Sequence, residues 1–404
     1  MDSGRHRAGE ARRVIPYPLL ATLALLSATA PFATDMYLPV MPAILSDLGT
    51  TRAMVQLTIS GFFIGMGVGQ LVMGPLSDAI GRKRLLVAGA SLALLASVLA
   101  ALAPTATVLV AARILQGLGG GACVVLARAV VPDLVHGAAA AKAYSLLMAL
   151  QGIAPAVAPV LGGVLAEPLG WRGIFWVLAG LHAVQLVLAV AIVPETAGGR
   201  SRAGLFRTVA GNYWAVLTNA RVWGYLVTMA FGFCSMFCYI AASAFVVQNQ
   251  WGFSPLGYSL IFGINAVGLF MATLVNSRAM DSVSPAVMLR IGVTGVFLCG
   301  VLLLLSVLLG APVWVYLVVL FACVAPTGFI MGNATALATG LMRPRAGSVS
   351  AIMGFGQSML ASVISPLMGW GSNAALTMAT GMVCCSFISL CGLAVSTRLA
   401  RGAA

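Results

Sequence analysis

Charge is what this sequence has least of. Of its 404 residues only 8% are Asp, Glu, Lys or Arg, and just nine are acidic. A soluble domain carries about 25% charged residues, so a water-soluble globular fold is excluded. Histidine is scarcer still. His6, His136 and His182 stand far apart, in a polar tail, a loop and an apolar run. The sequence contains no H-E-x-x-H, no G-x-S-x-G and no paired acids. With those hydrolase and metalloprotease patterns missing, the chain reads as a non-enzyme without cofactor or metal. Cysteine is present, but all eight (123, 234, 238, 299, 323, 384, 385 and 391) lie within apolar runs, so a disulfide framework is not part of the design. Cys234 and Cys238 share a helix face at i, i+4 and, lacking a second ligand pair, read as small packing residues.

What is abundant is hydrophobic sequence, 61% of the chain, in continuous runs of about 20 residues or more. Only helices and closed barrels satisfy their backbone in lipid, and barrel strands would alternate rather than run on. The reading is an all-α polytopic membrane protein. Twelve spans are expected near 17–43, 53–76, 84–103, 107–131, 142–166, 172–193, 221–247, 255–277, 286–309, 312–340, 346–369 and 373–397. A polar Arg-rich tail (1–15) precedes them and a short tail (398–404) follows. A basic connection, 194–220, divides them into six-span bundles, 16–193 and 221–397. With the N-terminus inside, Arg52 and Arg172 fall on outer loops and Arg113 within span 4; the rest of the 22 basic residues fall inside or at inner span ends. That asymmetry places both termini in the cytoplasm and the chain in the inner (plasma) membrane. The net charge of +13 is spread over short loops, not gathered in one patch, which argues against nucleic acid. Two equal halves suggest a transporter with its site between them near the midplane.

Residues 16–45 organise the rest. This stretch is apolar enough to cross a bilayer, yet it carries Asp35. An acid in the membrane is expensive and marks a functional site. Pro31, Pro39 and Pro42 lack an N–H, so the carbonyls of Ser27, Asp35 and Leu38 lose their usual helical donors. A helix loosened at three points bends, and its freed carbonyls need neighbours. The competing reading is a signal peptide, with Arg5, Arg7, Arg12 and Arg13 as n-region and Ala28-Thr29-Ala30 as cleavage site; more membrane follows, not a secreted domain. The other acids, Asp2, Glu10, Asp47, Asp78, Asp133, Glu167, Glu195 and Asp281, lie in the tail, in loops or at span ends. If transport is coupled to a proton through a carboxylate, Asp35 is the candidate.

Arg113 is the one basic residue well inside a span. At 1.5 Å per residue, Asp35 and Arg113 lie about 12 Å and about 9 Å from the outer ends of their spans, so they are able to meet. Arg113 either pairs with Asp35 or donates to carbonyls freed by the prolines; a purely structural role joining spans 1 and 4 is the third reading. Residues 117–122, GLGGGA, formally fit a dinucleotide fingerprint. No strand precedes them, so they read as glycines permitting close helix contact.

The turn GPLSDAIGRKR resembles the loop signature of the major facilitator superfamily at Gly74, Asp78, Gly81, Arg82 and Lys83, departing from it at Ala79. The resemblance implies a cytoplasmic latch. RILQGLGGGA looks like the family's fourth-span motif, with Arg113, Gln116, Gly117 and Gly119 matching. APAVAPVLGG resembles its fifth-span antiporter motif at Pro159, Gly162 and Gly163, with Ala158 in place of the first glycine. The finer resemblance is to the bicyclomycin/chloramphenicol-resistance branch (Bcr/CflA type) of twelve-span drug:proton antiporters. It rests on Asp35-Met36-Tyr37-Leu38-Pro39 with Pro42 and Ile44, and on 236–248, 258–269 and 333–357. Gly332 stands where that branch has Pro, and Ser27 where some exporters have a second acid.

The resemblance implies the major facilitator fold, two six-helix bundles around a central cavity, and proton-driven export of small amphipathic drugs by a monomer. Tyr37, Gln116, Gln151, Tyr239, Asn265, Asn333 and Gln357, polar or aromatic within spans, are the candidate cavity wall. The alternatives are a transporter of the same fold that moves an endogenous metabolite and, more remotely, a membrane enzyme or receptor.

Overall fold

The computed structural model describes residues 15–135, 137–196, 205–280 and 282–401. His6, His136, Asp281, the first fourteen residues, linker residues 197–204 and residues 402–404 lie outside them, as does the side chain of Asp78. Among the described residues the ordered elements are all helical.

Eleven helical segments are long and apolar enough to cross a membrane. One of them, within Gly137–Ile192, is long enough to cross twice; it breaks at Gly170, where φ is +61° and a residue with a Cβ would be strained. It therefore supplies spans 5 and 6. The others are span 1 (Tyr17–Asp47), span 2 (Arg52–Ile80), span 3 (Arg82–Ala101), span 4 (Ala106–Leu134), span 7 (Ala220–Gln250), span 8 (Pro255–Ala279), span 9 (Pro285–Leu308), span 10 (Val313–Leu341), span 11 (Ala346–Leu367) and span 12 (Ala374–Arg401). The connection after span 6, read from sequence as a basic linker, also holds a helix, Leu205–Leu217. Its apolar residues recur at helical spacing, so one stripe, with Val216 fully buried, packs under the bundle.

Small residues set the packing. Spans 2 and 4 interlock through glycines four apart. A Cβ on Gly65 would meet the Ile114 carbonyl at 2.0 Å, one on Gly117 the Phe62 carbonyl at 2.0 Å, and one on Gly121 the Met66 carbonyl at 2.5 Å. Backbone-to-backbone approach of this kind is what drives helices together in lipid, where burial of apolar surface contributes little. The GLGGGA run is thus a helix interface.

One end of the bundle carries the Gly81–Lys83 turn, Asp133, Glu195, Arg343 and Arg345; this is the basic end. The far end carries Asp47, Arg52, Arg172 and Gly371, with Asp47 accepting from Trp171 Nε1 at 2.9 Å and from Arg172 at 2.5 Å. The two halves touch mainly where span 2 meets span 11 and span 5 meets span 8. Hydrogen bonds across the seam gather toward the far end: Gln248 to the Pro39 carbonyl (3.0 Å), Gln56 to the Ala241 carbonyl (3.2 Å), Ser365 to the Gln56 carbonyl (3.0 Å) and Arg52 to the Gly371 carbonyl (3.3 Å). Gly369 adds backbone contact there, its missing Cβ 2.6 Å from Ala53. The conformation is closed at the far end.

Gly65→Ala forces spans 2 and 4 apart and is expected to cost about 1–3 kcal/mol, read as a lowered melting temperature of the purified protein. Gly332→Ala, with nothing within 4 Å of the added carbon, leaves the melting temperature unchanged; equal effects of the two would contradict this packing.

Candidate functional site

The site starts from the broken backbone of span 1. The chain runs as a helix over Tyr17–Ser27, turns at Ala28, continues over Thr29–Asp35, tightens to a 3₁₀ turn at Leu38–Val40 and resumes at Met41–Asp47. Each irregularity lies within a turn of a proline. Side chains from four other spans close the gaps. Gln185 Nε2 donates to the Leu25 carbonyl (2.8 Å), Gln151 Nε2 to the Ser27 carbonyl (2.8 Å), Arg113 Nη1 to the Ala33 carbonyl (2.9 Å) and Gln248 Nε2 to the Pro39 carbonyl (3.0 Å). Of the carbonyls stripped by proline, Ser27's thus goes to Gln151, and Leu38's takes the Met41 N–H instead. Gln185 is itself steadied by the Thr29 hydroxyl (3.2 Å) and by His182 Nδ1 (3.0 Å). His182 is therefore part of the scaffold of span 1.

Arg113 is fully buried. Besides Ala33 it reaches the Thr58 carbonyl (3.4 Å) and Gln116 Oε1 (2.5 Å), and its guanidinium lies 4.6 Å from the Phe62 ring centroid and 4.9 Å from that of Tyr37. Carbonyl dipoles and ring faces take the place of a counter-anion. No ion pair joins Arg113 to Asp35 among the described residues. Of the readings that the sequence leaves open for Arg113, the geometry fits donation to a span 1 carbonyl and not a pair with Asp35. Arg113 serves the span 1 backbone, and through the Ala33 carbonyl, which is not one of the three that proline strips.

Asp35 closes the second helical piece, 7% exposed. Its Oδ1 lies 2.9 Å from the Thr34 hydroxyl, which lies equally 2.9 Å from the Ala30 carbonyl. That hydroxyl has one proton to give. It donates to the carboxylate when Asp35 is ionised, and is free to turn to Ala30 when Asp35 carries its own proton. Thr34 was not legible as a partner, because i, i+1 neighbours on a helix do not ordinarily face each other.

Beside Asp35, span 5 touches span 1. A Cβ on Gly162 would stand 2.1 Å from the Met36 carbonyl, and one on Gly163 2.3 Å from Ser259 Oγ of span 8. Pro159 is buried one turn before. The glycine pair lets one helix lie against both halves at once. In the other half, the Tyr258 hydroxyl lies 3.3 Å from Ser243 Oγ. Tyr239 stacks on Phe262 at 5.3 Å, and its hydroxyl, Asn265 Oδ1 and Gln357 Oε1 are buried without a hydrogen-bond partner among the described residues. The remaining candidate wall residues spend their polar atoms on the protein itself. Tyr37 bonds the Thr58 hydroxyl, Gln116 donates to Ser97 (2.7 Å), Gln151 accepts from Arg128 (2.7 Å) and Asn333 donates to Asn276 (2.7 Å).

At the basic end, Gly81 links spans 2 and 3 with φ +118°. Glu195 Oε1 accepts from the backbone N–H of Arg82 (2.7 Å) and of Lys83 (3.4 Å), capping span 3 with a negative charge. Any Cβ at position 81 would collide with that carboxylate at 2.6 Å. Arg82 pairs with Asp133 (2.7 Å) and reaches Ser77 (2.7 Å). Gly74 faces Val125. Asp133 and Glu195 were legible only as loop acids; their partners lie 51 and 113 residues away.

With no charge pair to break, Asp35→Asn and Arg113→Lys are expected to act independently on stability. A double-mutant cycle on thermal unfolding should return a coupling below about 0.5 kcal/mol, whereas a buried ion pair would give several times that.

Residues 23–366 match the family model described as Major Facilitator Superfamily. The chain is 33% identical over 359 residues to an uncharacterized MFS-type transporter of Bacillus subtilis, covering 88% of this chain and 89% of that one. It is 30% identical over 336 residues to a bicyclomycin resistance protein homolog of Haemophilus influenzae, covering 83% and 84%. It is 33% identical over 335 residues to a chloramphenicol resistance protein of Pseudomonas aeruginosa, covering 78% of each. Among solved structures, a bacterial homolog of the human lysosomal transporter Spinster, inward-facing and unoccupied, superposes with TM-score 0.73 at 14% identity over 96% of this chain and 97% of that one. A D-xylose-proton symporter does so with 0.70 at 17%, over 92% and 95%. Family model, relatives and fold agree, and the chain belongs to the Major Facilitator Superfamily.

Proposed function

We propose that this transporter exports small amphipathic drugs of the antibiotic class in exchange for protons, as a monomer of two six-span bundles (16–193 and 221–397) in the inner membrane, with the basic end and both termini in the cytoplasm. The observation that carries the reading is Asp35, a carboxylate held inside the bundle, without a fixed counter-ion, at the break of span 1. Relatives named for chloramphenicol and bicyclomycin resistance support the drug class.

In this reading the far end faces outside and is closed, so drug enters from the cytoplasm or inner leaflet. Tyr239, Asn265 and Gln357, each with one buried oxygen that has no hydrogen-bond partner among the described residues, are the wall residues offered to it. Outer protons neutralise Asp35, and drug binding from within favours their release. Because no ion pair has to be broken, the Thr34 hydroxyl alone follows the change of charge. The Gly162/Gly163 helix, in contact with both halves, carries the movement to the seam. The Gly81–Lys83 turn, with Asp133 and Glu195, acts as the cytoplasmic latch. The mechanism needs no cofactor and no catalysis.

The energy suffices. One proton moving down ~100 mV releases about 2.3 kcal/mol, with about 1.4 more per unit of pH. About 3.7 kcal/mol sustains a gradient of roughly 400-fold for a neutral drug.

In inverted vesicles acidified inside, adding chloramphenicol, florfenicol or bicyclomycin is expected to raise the internal pH as protons leave. Asp35→Asn is expected to abolish that rise while drug binding persists. A rise that survives the substitution removes Asp35 from coupling. A rise driven by a metabolite, and by none of the drugs, favours the metabolite transporter instead.

A further inference from the structure

The second half of the chain has a charge asymmetry that transport does not use. From Thr196 to Ala404 the sequence holds ten arginines and one acid, Asp281. Arg221 opens span 7, Arg278 ends span 8, Arg290 lies near the start of span 9, Arg343 and Arg345 join spans 10 and 11, and Arg398 ends span 12. All six sit at the basic end and are exposed. Arg200, Arg202 and Arg207 add to them in the sequence of the linker. The far-end connections of the same half, 251–254, 309–312 and 368–373, carry no charge at all.

The linker helix Leu205–Leu217 lies on this surface. Arg345 Nε donates to Asn212 (3.1 Å), and Trp223 Nε1 donates to the Leu217 carbonyl (2.7 Å), fastening the helix to spans 11 and 7. Val216 is buried beneath it, while Trp214 is 70% exposed, Trp223 45% and Leu217 41%. The other five tryptophans, at 171, 176, 251, 314 and 370, belong to the far end, so 214 and 223 are the tryptophans of the basic end's aromatic belt, to which exposed Tyr17 also belongs. Between the two tryptophans opens a recess of about 450 Å³ lined by Ala215, Thr218, Asn219, Ala220 and Arg221. The Arg221 side chain makes no hydrogen bond to a described residue.

We infer that the linker helix and the start of span 7 form a docking surface for anionic phospholipid, with Trp214 and Leu217 in the acyl boundary and Arg221 on the phosphodiester in the recess. An amphipathic helix with tryptophan on one side and arginine around it binds interfaces through apolar area together with attraction to anionic headgroups. The far end of this half has tryptophans without arginines and serves as an internal contrast: it anchors without choosing lipid charge.

The test uses the full chain in neutral detergent, titrated with short-chain phosphatidylglycerol and, separately, phosphatidylcholine. Phosphatidylglycerol is expected to bind more tightly. Arg221→Gln weakens it about fivefold and Arg221→Gln with Arg343→Gln about 25-fold, at about one such factor per arginine, with phosphatidylcholine unaffected. Equal affinity for the two lipids, or an unchanged double variant, overturns the inference. A second reading does not depend on the arginine variants folding. Brominated phosphatidylglycerol quenches the tryptophan fluorescence of the parent and quenches Trp214→Phe measurably less; equal quenching overturns the placement of the helix. Sodium phosphate serves as a further arm: if it displaces the lipid at comparable concentration, the recess holds a soluble anion and the lipid assignment fails. None of these readouts involves transport, so they stand whether or not the export reading does.

Discussion

The structure depends on one constraint: in lipid, every backbone carbonyl without a helical donor must find another. Three prolines interrupt span 1, and an unmet buried carbonyl costs about 1–3 kcal/mol. Of the carbonyls that proline strips, Gln151 meets Ser27's and the Met41 N–H meets Leu38's, while Gln185, Arg113 and Gln248 bind the Leu25, Ala33 and Pro39 carbonyls of the same bent segment from spans 6, 4 and 7. The bend is thus held by its neighbours as much as by its own sequence, and Asp35 sits at the place they fix. Three of the four side-chain donors belong to the same half as span 1. Gln248 alone reaches across the seam, so it is the clamp that separation of the halves at the far end would have to release.

The same constraint explains why a buried arginine stands near a buried aspartate without pairing to it. Arg113 reaches two carbonyls, an amide and aromatic faces, with Nη2 alone left without a partner among the described residues. Breaking a buried ion pair costs about 3–5 kcal/mol, more than a single proton's gradient comfortably supplies. A carboxylate that leans only on a threonine hydroxyl changes charge at far lower cost. Withholding the counter-ion is what would suit Asp35 to the proposed coupling.

Much of this was legible from residue types. The long apolar runs gave the spans, the lone membrane acid gave Asp35, and the crowded glycines gave the contact of spans 2 and 4. What was not legible depends on the backbone or on distance along the chain. The Thr34–Asp35 contact joins adjacent residues, which a helical pattern does not pair. Glu195 finds the Gly81 turn only after six spans have folded. Gln185 and Gln248 look like any polar residue in a span until the carbonyl each one serves is known. The linker helix was hidden by the basic residues around it, Arg200, Arg202 and Arg207, and by an apolar run too short to cross a membrane.

The seam makes the energetics consistent with the proposed coupling. Four hydrogen bonds cross it toward the far end, and each ends on a backbone carbonyl. Three have neutral donors, at a net worth of about 1 kcal/mol each; the fourth, from Arg52, stands at the surface, where charge adds little. Closure from these bonds is then worth about 3 kcal/mol, below the ~3.7 kcal/mol that one proton delivers. A seam of buried ion pairs would lock the molecule beyond that reach, and a purely apolar seam would leave its register unspecified. Hydrogen bonds to carbonyls, with glycine at positions 163 and 369 to let the backbones meet, give a closed state that is well defined and still within the range one proton can reverse.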